Sequence, residues 1–475
     1  MAHTLDAVET DDQPVKKPLR ITELILLVMA VAIGSGAYML SGLGMDQPLE
    51  THYWIQLGVM AALAIAFHIV LRLRAPWSDQ YIMPLALSLN GLGLAMIHRL
   101  DLVPPGGSAA NNQLLWTALS IIISMALVWF IIDYRHMRRF TYVWLLASAI
   151  LLILPFLPFI GMEIYGARIW VNLGIGSFQP GEVAKLTLAI FFASYLSANR
   201  DLILLAGRKL GPLSFPRLQD LGPLVVAWLV SMGVLIFQRD LGSAVLFFGL
   251  FMAMIYLATA RLSWIILGLL AVGAGGIIAF NLFPHVQARI DGWLNAFDMD
   301  MIYAEHGSHQ VVQGLFGLAS GGLFGSGLGE GRPDLVFAAN SDMIIASFGE
   351  ELGLVGLTAI LLIFFVLITR IMRIGLSARD AFGKLLAAGL GCAMAIQIFV
   401  VVGGVLRVIP LTGLTTPFMA AGGSSLLANW MIIGLVLLIS HTANRPMQAG
   451  PMVNASGFGA GTSVPGQPVE AGERQ

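Results

Sequence analysis

Charged residues are scarce in this sequence. Asp, Glu, Lys and Arg together make up 11% of its 475 residues, about half the share that is usual in soluble domains. Hydrophobic residues make up 57%, and the mean hydropathy is +0.82. Such a chain has too little polar surface for a soluble fold, and its composition excludes disorder and a collagen-like fibre. The composition therefore predicts an all-α polytopic membrane protein.

Several signals are missing altogether. Cys392 is the only cysteine, so no intramolecular disulfide can form. There is no Walker A or dinucleotide-binding fingerprint, so no nucleotide cofactor is expected. The net charge of −1 gives no indication of a nucleic-acid partner. The first 20 residues lack an apolar core followed by a small-residue cleavage site, which predicts a mature tail and not a signal peptide.

The apolar runs are long enough to cross a membrane. A transmembrane helix needs about 20 largely apolar residues. Twelve runs approach this length, and we expect a helix at each: 24–40, 53–71, 81–97, 114–132, 142–160, 182–196, 221–237, 242–259, 264–283, 343–368, 385–405 and 414–439.

The positions of the basic residues predict the orientation. With the N-terminus inside, most of the 26 Lys and Arg residues fall in cytoplasmic segments, as the positive-inside rule requires. Both termini are therefore expected in the cytoplasm. The expected organisation is a cytoplasmic tail over 1–20, two N-terminal helices over 21–75, a transmembrane core over 76–445 and a flexible Gly/Ser/Pro-rich tail over 446–475.

One outer loop is much longer than the others. It covers 284–341, immediately before the tenth predicted helix, and its aromatic residues include Trp293, Phe297, Phe316, Phe324 and Phe337. That is too aromatic for a disordered linker. We expect an ordered cap over the outer face, built with short amphipathic helices.

A polar cluster precedes the sixth predicted helix. It contains Gly-Ala-Arg-Ile-Trp at 166–170 and Phe-Gln-Pro-Gly-Glu-Val-Ala-Lys-Leu at 178–186. Glu182 and Lys185 are three residues apart, so they share one face of a helix. Two interpretations are open at this point. The pair is either a local ion pair at a helix start or part of a polar cavity at the outer membrane surface.

Two aspartates lie at other outer helix starts. Asp240 follows Arg239 in a short turn, where it is either a helix cap or a functional carboxylate. Asp342 lies where the long loop meets the tenth helix. It either sits favourably in the first turn or acts as a general base beside a lipid-facing cavity. Deeper in that helix, the adjacent carboxylates of Glu350 and Glu351 must be paired, protonated or facing a cavity.

A run of small and hydroxyl residues marks the last predicted helix. It contains Pro-Leu-Thr-Gly at 410–413 and Gly-Gly-Ser-Ser-Leu-Leu at 422–427. Small residues permit close helix packing. The hydroxyls of Ser424 and Ser425 are alternatively placed to bind a lipid headgroup.

Taken together, these motifs resemble the SEDS family (shape, elongation, division and sporulation), which includes RodA and FtsW. The stretches at 166–170 and 178–186 are similar to the family's GARRW and FQPSE.AKL, and 238–244 is similar to QPDLGTA. Four more motifs follow in order. Gln313 corresponds to the family's QS, 321–327 to its glycine-rich GSGG segment, 341–346 to HTDFIFA and 350–356 to EELGLVG. The last two motifs, P.TG and GGSSLL, match 410–413 and 422–427.

The sequence departs from the family pattern at several positions. Asn340 replaces the histidine of the HTD motif, and Arg239 replaces the proline of QPD. Gly181 replaces the serine of QPSE, and Ala421 replaces a tyrosine. The two helices before residue 81 are additional to the family's ten-helix core. No departure removes a chargeable group that the resemblance assigns to catalysis.

The resemblance implies a peptidoglycan glycosyltransferase that polymerises lipid II at the outer face of the bacterial cytoplasmic membrane, in elongation or division. Asp342 would be the general base, with Glu182 and Lys185 as further catalytic residues. Arg168, Lys185 or a divalent metal ion, Mg²⁺ or Mn²⁺, would stabilise the leaving pyrophosphate. The substrate would also contact a set of polar residues: Arg168, Gln179, Asp240, Gln313, Ser424 and Ser425.

The resemblance also implies partners. They are a class B penicillin-binding protein that supplies transpeptidation, lipid II and membrane lipids. Two other functions remain open from the sequence. A lipid II flippase should show inverted repeats and a midplane site, whereas the polar clusters here lie towards the outer leaflet. A non-catalytic scaffold for the penicillin-binding protein would not need Glu182, Lys185 and Asp342 together.

Overall fold

The structure is a computed structural model. It describes residues 18–446 except 49–50, 105, 165, 173, 175, 201–206, 211–212, 217 and 305–306, and it does not describe the side chains of 207–221. Most of the expected tails over 1–20 and 446–475 lies outside the described residues. The segment Lys16–Asn444 forms one compact unit.

Long helices dominate the fold. Their bounds are α1 Ile21–Gly44, α2 Thr51–Arg74, α3 Ile82–Asp101, α4 Ala109–Phe130, α5 Thr141–Ile153, α6 Pro180–Ala198, α7 Leu218–Gln238, α8 Leu241–Thr259 and α9 Ser263–Leu282. Three short helices follow in the long loop, α10 Pro284–Leu294, α11 Met299–Ile302 and α12 His309–Gly321. The last three helices are α13 Ile344–Ser377, α14 Ala381–Val405 and α15 Gly423–Asn444.

Nine helices in the described ranges are long and apolar enough to cross a membrane. They include α5 taken with its flanking 3₁₀ turns, over Tyr134–Phe156. Helices α3, α6 and α7 are outside this set. Nearly all residues of α3 and most of α6 are buried against other helices, so these helices need less apolar surface than a helix that faces lipid. The protein is therefore a multi-pass membrane protein.

Helix α3 lies at the centre of the packing, with α1, α4, α13 and α15 around it. Gly34 of α1 faces Gly91 of α3, and a Cβ added to either glycine would lie under 3 Å from the other backbone. Two facing glycines let the helices approach closely, as small residues do in membrane proteins. The first additional helix is thus packed directly on the core.

A buried polar cluster joins the start of α1 to the end of α2 and the residues that follow it. Arg20 donates hydrogen bonds to the carbonyl oxygens of Ala75 (3.3 Å) and Ser78 (2.9 Å), and it pairs with Glu23. Glu23 also contacts Nδ1 of His68 at 2.7 Å. These contacts satisfy charges that burial would otherwise penalise.

The all-α expectation is wrong for two loops. Three short strands, β1 Gly161–Ile164, β2 Ala167–Asn172 and β3 Ser177–Phe178, form an antiparallel sheet between α5 and α6. Two more, β4 Gly207–Leu210 and β5 Leu213–Pro216, form a hairpin before α7. The predicted helix over 142–160 ends early, because Pro155 lies in a 3₁₀ turn and the chain then enters β1.

The last helix also begins later than predicted. The run 414–439 is not helical throughout, since α15 starts at Gly423. The residues before it are irregular, most of 414–420 are buried, and one side chain satisfies two of the backbone groups. Gln113 donates to the carbonyl of Ala420 (3.0 Å) and accepts from the N–H of Gly422 (3.1 Å). Irregular backbone is tolerated at membrane depth where it is covered by protein in this way.

Helix α13 is interrupted at Gly353, where φ is +67°. The glycine-rich segment 321–331 packs into this kink. The N–H groups of Leu354 and Val355 donate to the carbonyls of Gly322 (2.9 Å) and Leu323 (3.1 Å). The kink thus joins the long loop to the tenth predicted helix by backbone hydrogen bonds.

Replacing Gly353 by alanine is expected to destabilise the protein by roughly 3 kcal/mol, because an L-residue is strained at this φ and its Cβ would overlap the backbone of Gly325. Thermal unfolding in detergent would measure the loss. Gly273→Ala is the matched control, since nothing lies within 4 Å of its added Cβ. Equal stability of the two variants would contradict the role assigned to the kink.

Candidate active site

The Glu182–Lys185 pair lies at the start of α6, where Pro180 occupies the first turn. Lys185 Nζ donates to Glu182 Oε2 at 3.0 Å and to Gln397 Oε1 of α14 at 2.8 Å. Gln397 in turn donates to the carbonyl of Thr415 at 2.9 Å. Glu182 and Lys185 are only 6% and 1% exposed. The pair is therefore part of a buried network that joins three segments of the chain.

The hydroxyls at the start of α15 are used in the same region. Ser424 Oγ accepts a hydrogen bond from the backbone N–H of Gln179 at 2.7 Å. Ser425 Oγ accepts from the Thr415 hydroxyl at 3.0 Å. Both serines are buried. The contacts bring the predicted residues Gln179, Ser424 and Ser425 together beside the Glu182–Lys185 pair.

Asp240 caps α8. Its Oδ1 accepts the backbone N–H of Ser243 at 2.9 Å, as expected for an N-cap residue. Burial raises the pKa of this carboxyl above its usual range, Glu182 raises it further, and Arg289 offsets part of the rise. Asp240 therefore caps α8, and the charges of Glu182 and Arg289 both affect the pKa of its carboxyl.

Asp342 lies in the turn just before α13. Its Oδ1 accepts the Ser341 hydroxyl at 3.0 Å, and its Oδ2 accepts the Gln310 amide at 3.3 Å. Burial raises the pKa of the Asp342 carboxyl, while the Ser341 and Gln310 hydrogen bonds and the charge of Arg289 partly offset the rise. A carboxyl with a raised pKa is suited to accept a proton near neutral pH.

Three residues of this region had no role predicted from the sequence: Gln310, Gln397 and Arg289. Arg289 is the charged one. It lies on α10 and donates to the carbonyl of Leu411 at 3.0 Å. Burial lowers its pKa, and the carboxyls of Asp240 and Asp342 counteract that effect. Arg289 is therefore a cation whose charge acts on both carboxyls, while its described hydrogen bond is to Leu411. One sequence signal was present, since Arg289 is the only Lys or Arg between positions 240 and 331 besides Arg261.

Arg168 lies apart from these contacts. It is on β2, its side chain is 58% exposed, and it pairs with Glu163 at 2.9 Å. It lines a cleft together with Arg239. No described hydrogen bond or salt bridge joins Arg168 to the Glu182–Lys185 pair.

Gln313 lies on α12, which packs against the start of α13. A Cβ added to Gly314 would overlap Met343, and one added to Gly317 would lie 3.0 Å from Glu350 Oε2. The Oε1 atom of Gln313 is buried and has no hydrogen-bond partner among the described residues. The packing brings Gln313 to the same end of the molecule as Asp342.

Glu350 and Glu351 hold the glycine-rich segment. Glu351 pairs with Arg99 of α3 at 2.8 Å and accepts the N–H of Gly329 at 3.1 Å. Glu350 Oε1 accepts the N–H of Arg332 at 2.8 Å. Both glutamates are buried. Of the alternatives stated for these carboxylates, pairing with a cation is what the structure shows for Glu351, while Glu350 accepts a backbone N–H. Both contacts hold the loop and indicate a structural role.

The described residues contain no group of three or more His, Cys, Asp or Glu side chains that could hold a metal ion. The carboxylates of Asp240 and Asp342 instead have a guanidinium near them. The donor set therefore does not fit a metal centre.

Known proteins are similar to this chain in sequence and in fold. A family model for FtsW, RodA and SpoVE, described as a cell cycle protein, matches residues 80–445. The peptidoglycan glycosyltransferase RodA of Mycobacterium tuberculosis is 44% identical over 455 residues, which are 94% of this chain and 95% of the relative. The stage V sporulation protein E of Bacillus subtilis is 34% identical over 336 residues, 70% of this chain and 87% of that protein.

Solved structures agree. A chain solved in work on how a peptidoglycan synthase complex coordinates polymerization and crosslinking aligns with a TM-score of 0.63 at 25% identity, over 78% of this chain and 99% of that one. RodA of Thermus thermophilus aligns with a TM-score of 0.53 at 24% identity, over 78% and 98%, and supports the fold alone. The resemblance stated from the motifs is confirmed, and the protein belongs to the FtsW, RodA and SpoVE family, also called SEDS.

Proposed function

We propose that this protein is a peptidoglycan glycosyltransferase that polymerises lipid II at the outer face of the bacterial cytoplasmic membrane. Its relatives that align over most of the chain are named for this activity. The observation that carries the site assignment is the half-buried Asp342 just before α13, whose carboxylate oxygens accept hydrogen bonds from Ser341 and from Gln310 of α12. Relatives named RodA align over 94% and 91% of this chain, which favours a role in elongation.

Asp342 is the general base of the proposed reaction. The 4-hydroxyl of the acceptor sugar attacks C1 of the lipid-linked donor, and its proton passes to the Asp342 carboxylate. The bond from C1 to the diphosphate breaks, and polyprenyl diphosphate leaves. A sugar hydroxyl is a weak nucleophile, so a positioned base accelerates its attack. Ser341 and Gln310 hold the two carboxylate oxygens in place.

The leaving diphosphate needs positive charge. Lys185 is 1% exposed and already donates to Glu182 and Gln397, so we assign it to positioning. Arg289 is the proposed source of this positive charge, because its charge lowers the pKa of the carboxyls of both Asp240 and Asp342. No step of the proposal passes through a metal ion, since the described side chains do not form a metal-binding set.

The proposed topology has twelve spans and cytoplasmic termini. Nine described helices meet the length and composition of a span, and α3, α6 and α7 occupy three more predicted stretches. This orientation places Asp342, Asp240 and Arg289 at the outer surface. The lipid substrate then keeps its headgroup in the outer site and its tail in the bilayer.

A class B penicillin-binding protein is the proposed partner. The structural neighbour at TM-score 0.63 comes from work on a complex that coordinates polymerization with crosslinking. The long loop 284–341, with α10–α12, is the proposed contact surface. The partner would supply the transpeptidation step.

Polymerisation of lipid II by the purified full chain with its class B partner tests the proposal. Moenomycin is added to silence contaminating classical glycosyltransferases. Glycan polymer on a gel is the expected result. No polymer with a partner shown to be bound would overturn the proposal. Lipid II translocation in vesicles would then support the flippase, and its absence as well would leave the scaffold.

The acid limb of the pH–rate profile is expected above the range in which an ordinary aspartate titrates, because burial raises the pKa of Asp342. The base acts when deprotonated, so activity is full above this raised pKa and falls as the pH drops through it. Ser341→Ala removes a hydrogen bond that lowers the pKa, so its acid limb should move further up. Ser320→Ala, on α12, is the control. An acid limb unmoved by Ser341→Ala would argue against Asp342 as the titrating group.

A further inference from the structure

A cavity of about 170 Å³ lies where the two additional N-terminal helices meet the family core. It is bounded by the end of α1, the start of α2, the end of α3 and the start of α4. About half of its lining comes from residues before 80, outside the range that the family model matches. The family core alone therefore cannot form this cavity, here called the N-terminal cavity.

The lining of the N-terminal cavity combines aromatic rings with polar groups. Tyr38 stacks on His98, with ring centroids 3.8 Å apart and planes 6° apart, and Tyr53 adds another ring. Asn111 and Asp101 contribute an amide and a carboxylate, and Asp101 is the only Asp, Glu, Lys or Arg in the described lining. Without a Lys or Arg the cavity does not suit a phosphate. Its polar groups do not suit a hydrocarbon tail.

Some of these polar groups lack partners within the protein. Tyr38 is only 5% exposed, and its hydroxyl has no hydrogen-bond partner in the part of the chain that the structure describes. Oδ2 of Asp101 accepts the N–H of Ala110 at 2.7 Å, whereas the described residues offer its Oδ1 no hydrogen bond. Buried polar groups are normally satisfied, so an unpaired buried hydroxyl that lines a cavity indicates a ligand with hydrogen-bonding groups.

The mixture of donors and acceptors selects the class of ligand. The Asp101 carboxylate only accepts hydrogen bonds, whereas the Tyr38 hydroxyl and the Asn111 amide both donate and accept. An ammonium ligand only donates, so it would leave the Asn111 donors unused. Sugar hydroxyls donate and accept, and the C–H face of a sugar ring packs on aromatic rings. Because a cavity of about 150 Å³ holds one benzene ring, the N-terminal cavity has room for one sugar ring.

We propose that the N-terminal cavity binds one N-acetylglucosamine ring of the growing glycan strand. This inference rests on the proposed function, which supplies the glycan at the outer face. Of the two sugars in the strand, this one is neutral, whereas its neighbour carries an acidic peptide that Asp101 would repel.

The cavity is separate from the catalytic site but lies next to the long loop. None of its lining residues belongs to the site around Asp342. A Cβ added to Gly44, at the end of α1, would overlap the carbonyl oxygen of Leu328 in the glycine-rich segment 321–331. The strand is therefore held at a second place on the outer face.

Binding of chitotetraose, a neutral tetramer of N-acetylglucosamine, to the purified full chain in nanodiscs tests the inference by an NMR titration. Tyr38→Phe keeps the ring on His98 and removes only the hydroxyl, and Asn111→Ala removes an exposed amide. Each is expected to weaken binding about fivefold, because each removes one hydrogen bond.

Asn112→Ala is the matched control. Asn112 is the next residue of α4, is also exposed and does not line the cavity, so its loss should leave the affinity unchanged. Unchanged affinity in both Tyr38→Phe and Asn111→Ala, or no binding by the wild type, would overturn the inference. Tetramethylammonium that competes better than N-acetylglucosamine would overturn it in favour of an organic cation.

The length of the glycan product separates this inference from the proposed function. A growing strand is tethered at the catalytic site, so its high effective concentration strengthens even a weak second contact. Tyr38→Phe and Asn111→Ala are therefore expected to release shorter strands than the wild type and Asn112→Ala, as measured on a gel.

Equal strand length in variants that have lost chitotetraose binding would overturn the strand as the source of the sugar. If the wild type polymerises lipid II and the variants match it in both measurements, the inference fails and the activity stands. If the wild type binds chitotetraose and Tyr38→Phe weakens that binding, but no polymer forms, the sugar site stands and the proposed function fails.

Discussion

Replacing Asp342 by asparagine is expected to lower lipid II polymerisation at least a hundredfold, the range typical of a lost general base. Asparagine has nearly the same shape and still accepts the Ser341 hydroxyl and the Gln310 amide through its oxygen. It cannot take the proton of the acceptor hydroxyl. The measurement is the initial rate of polymer formation with the bound class B partner.

The stability of the Asp342→Asn variant makes the result specific. Burial raises the pKa of Asp342 in the folded state above its unfolded value, so the ionised carboxylate costs stability at pH values above that raised pKa. Removing the charge should leave the variant at least as stable as the wild type at neutral pH. Thermal unfolding and partner binding therefore check that the inactive variant is folded.

Asp334→Asn is the matched control for this experiment. Asp334 is another carboxylate of the long loop, and it pairs with the exposed Arg332 at 3.3 Å. Asp334 has no role in the proposed reaction, and an ion pair with an exposed arginine contributes little to stability. Its loss should therefore change the polymerisation rate little. Full activity of Asp342→Asn would remove Asp342 as the base and direct attention to Asp240 and Glu182.

Replacing Lys185 by methionine is expected to cost about 3–5 kcal/mol of folding stability. Methionine fills a similar volume but leaves Glu182, with its side chain 7% exposed, without its cation. Gln397 also loses the donor to its Oε1. The free energy of unfolding, measured by denaturant titration in detergent micelles, gives the loss. Lys384→Met, at an exposed position at the start of α14, is the control and should have little effect.

The double variant Glu182→Gln with Lys185→Met separates stability from catalysis. Removing both charges takes away the uncompensated carboxylate, so much of the lost stability should return. Polymerisation should stay low, because the pair positions α6 beside the substrate site. Wild-type activity in the double variant would show that the pair is structural only. A stable Lys185→Met single variant would contradict the coupling of the two side chains.

The sequence by itself determined the class of protein and the positions of most chemistry-bearing residues. Low charge and long apolar runs dictate membrane helices, because the bilayer interior satisfies no backbone or charged group. Local spacing placed Glu182 and Lys185 on one helix face, and the structure pairs them at 3.0 Å. The position of Asp342 at the junction of a long loop and a helix is likewise a local feature.

Contacts between distant segments were decided only by the tertiary structure. Lys185 and Gln397 are 212 residues apart, Arg99 and Glu351 are 252 apart, and Arg289 and Leu411 are 122 apart. Hydrophobic periodicity and motif spacing describe a few turns of chain and carry no information on such pairings. Arg289 therefore had no assigned role until its contact with Leu411 was seen.

The errors in the sequence reading have the same origin. The run 414–439 is apolar enough for a helix throughout, yet the chain stays irregular up to Gly423 because Gln113, from α4, satisfies its backbone groups. The strands β1–β3 form because residues 161–178 pair with each other across turns in an otherwise helical protein. In both places the available hydrogen-bond partners, and not the apolar pattern of the chain, determined the backbone conformation.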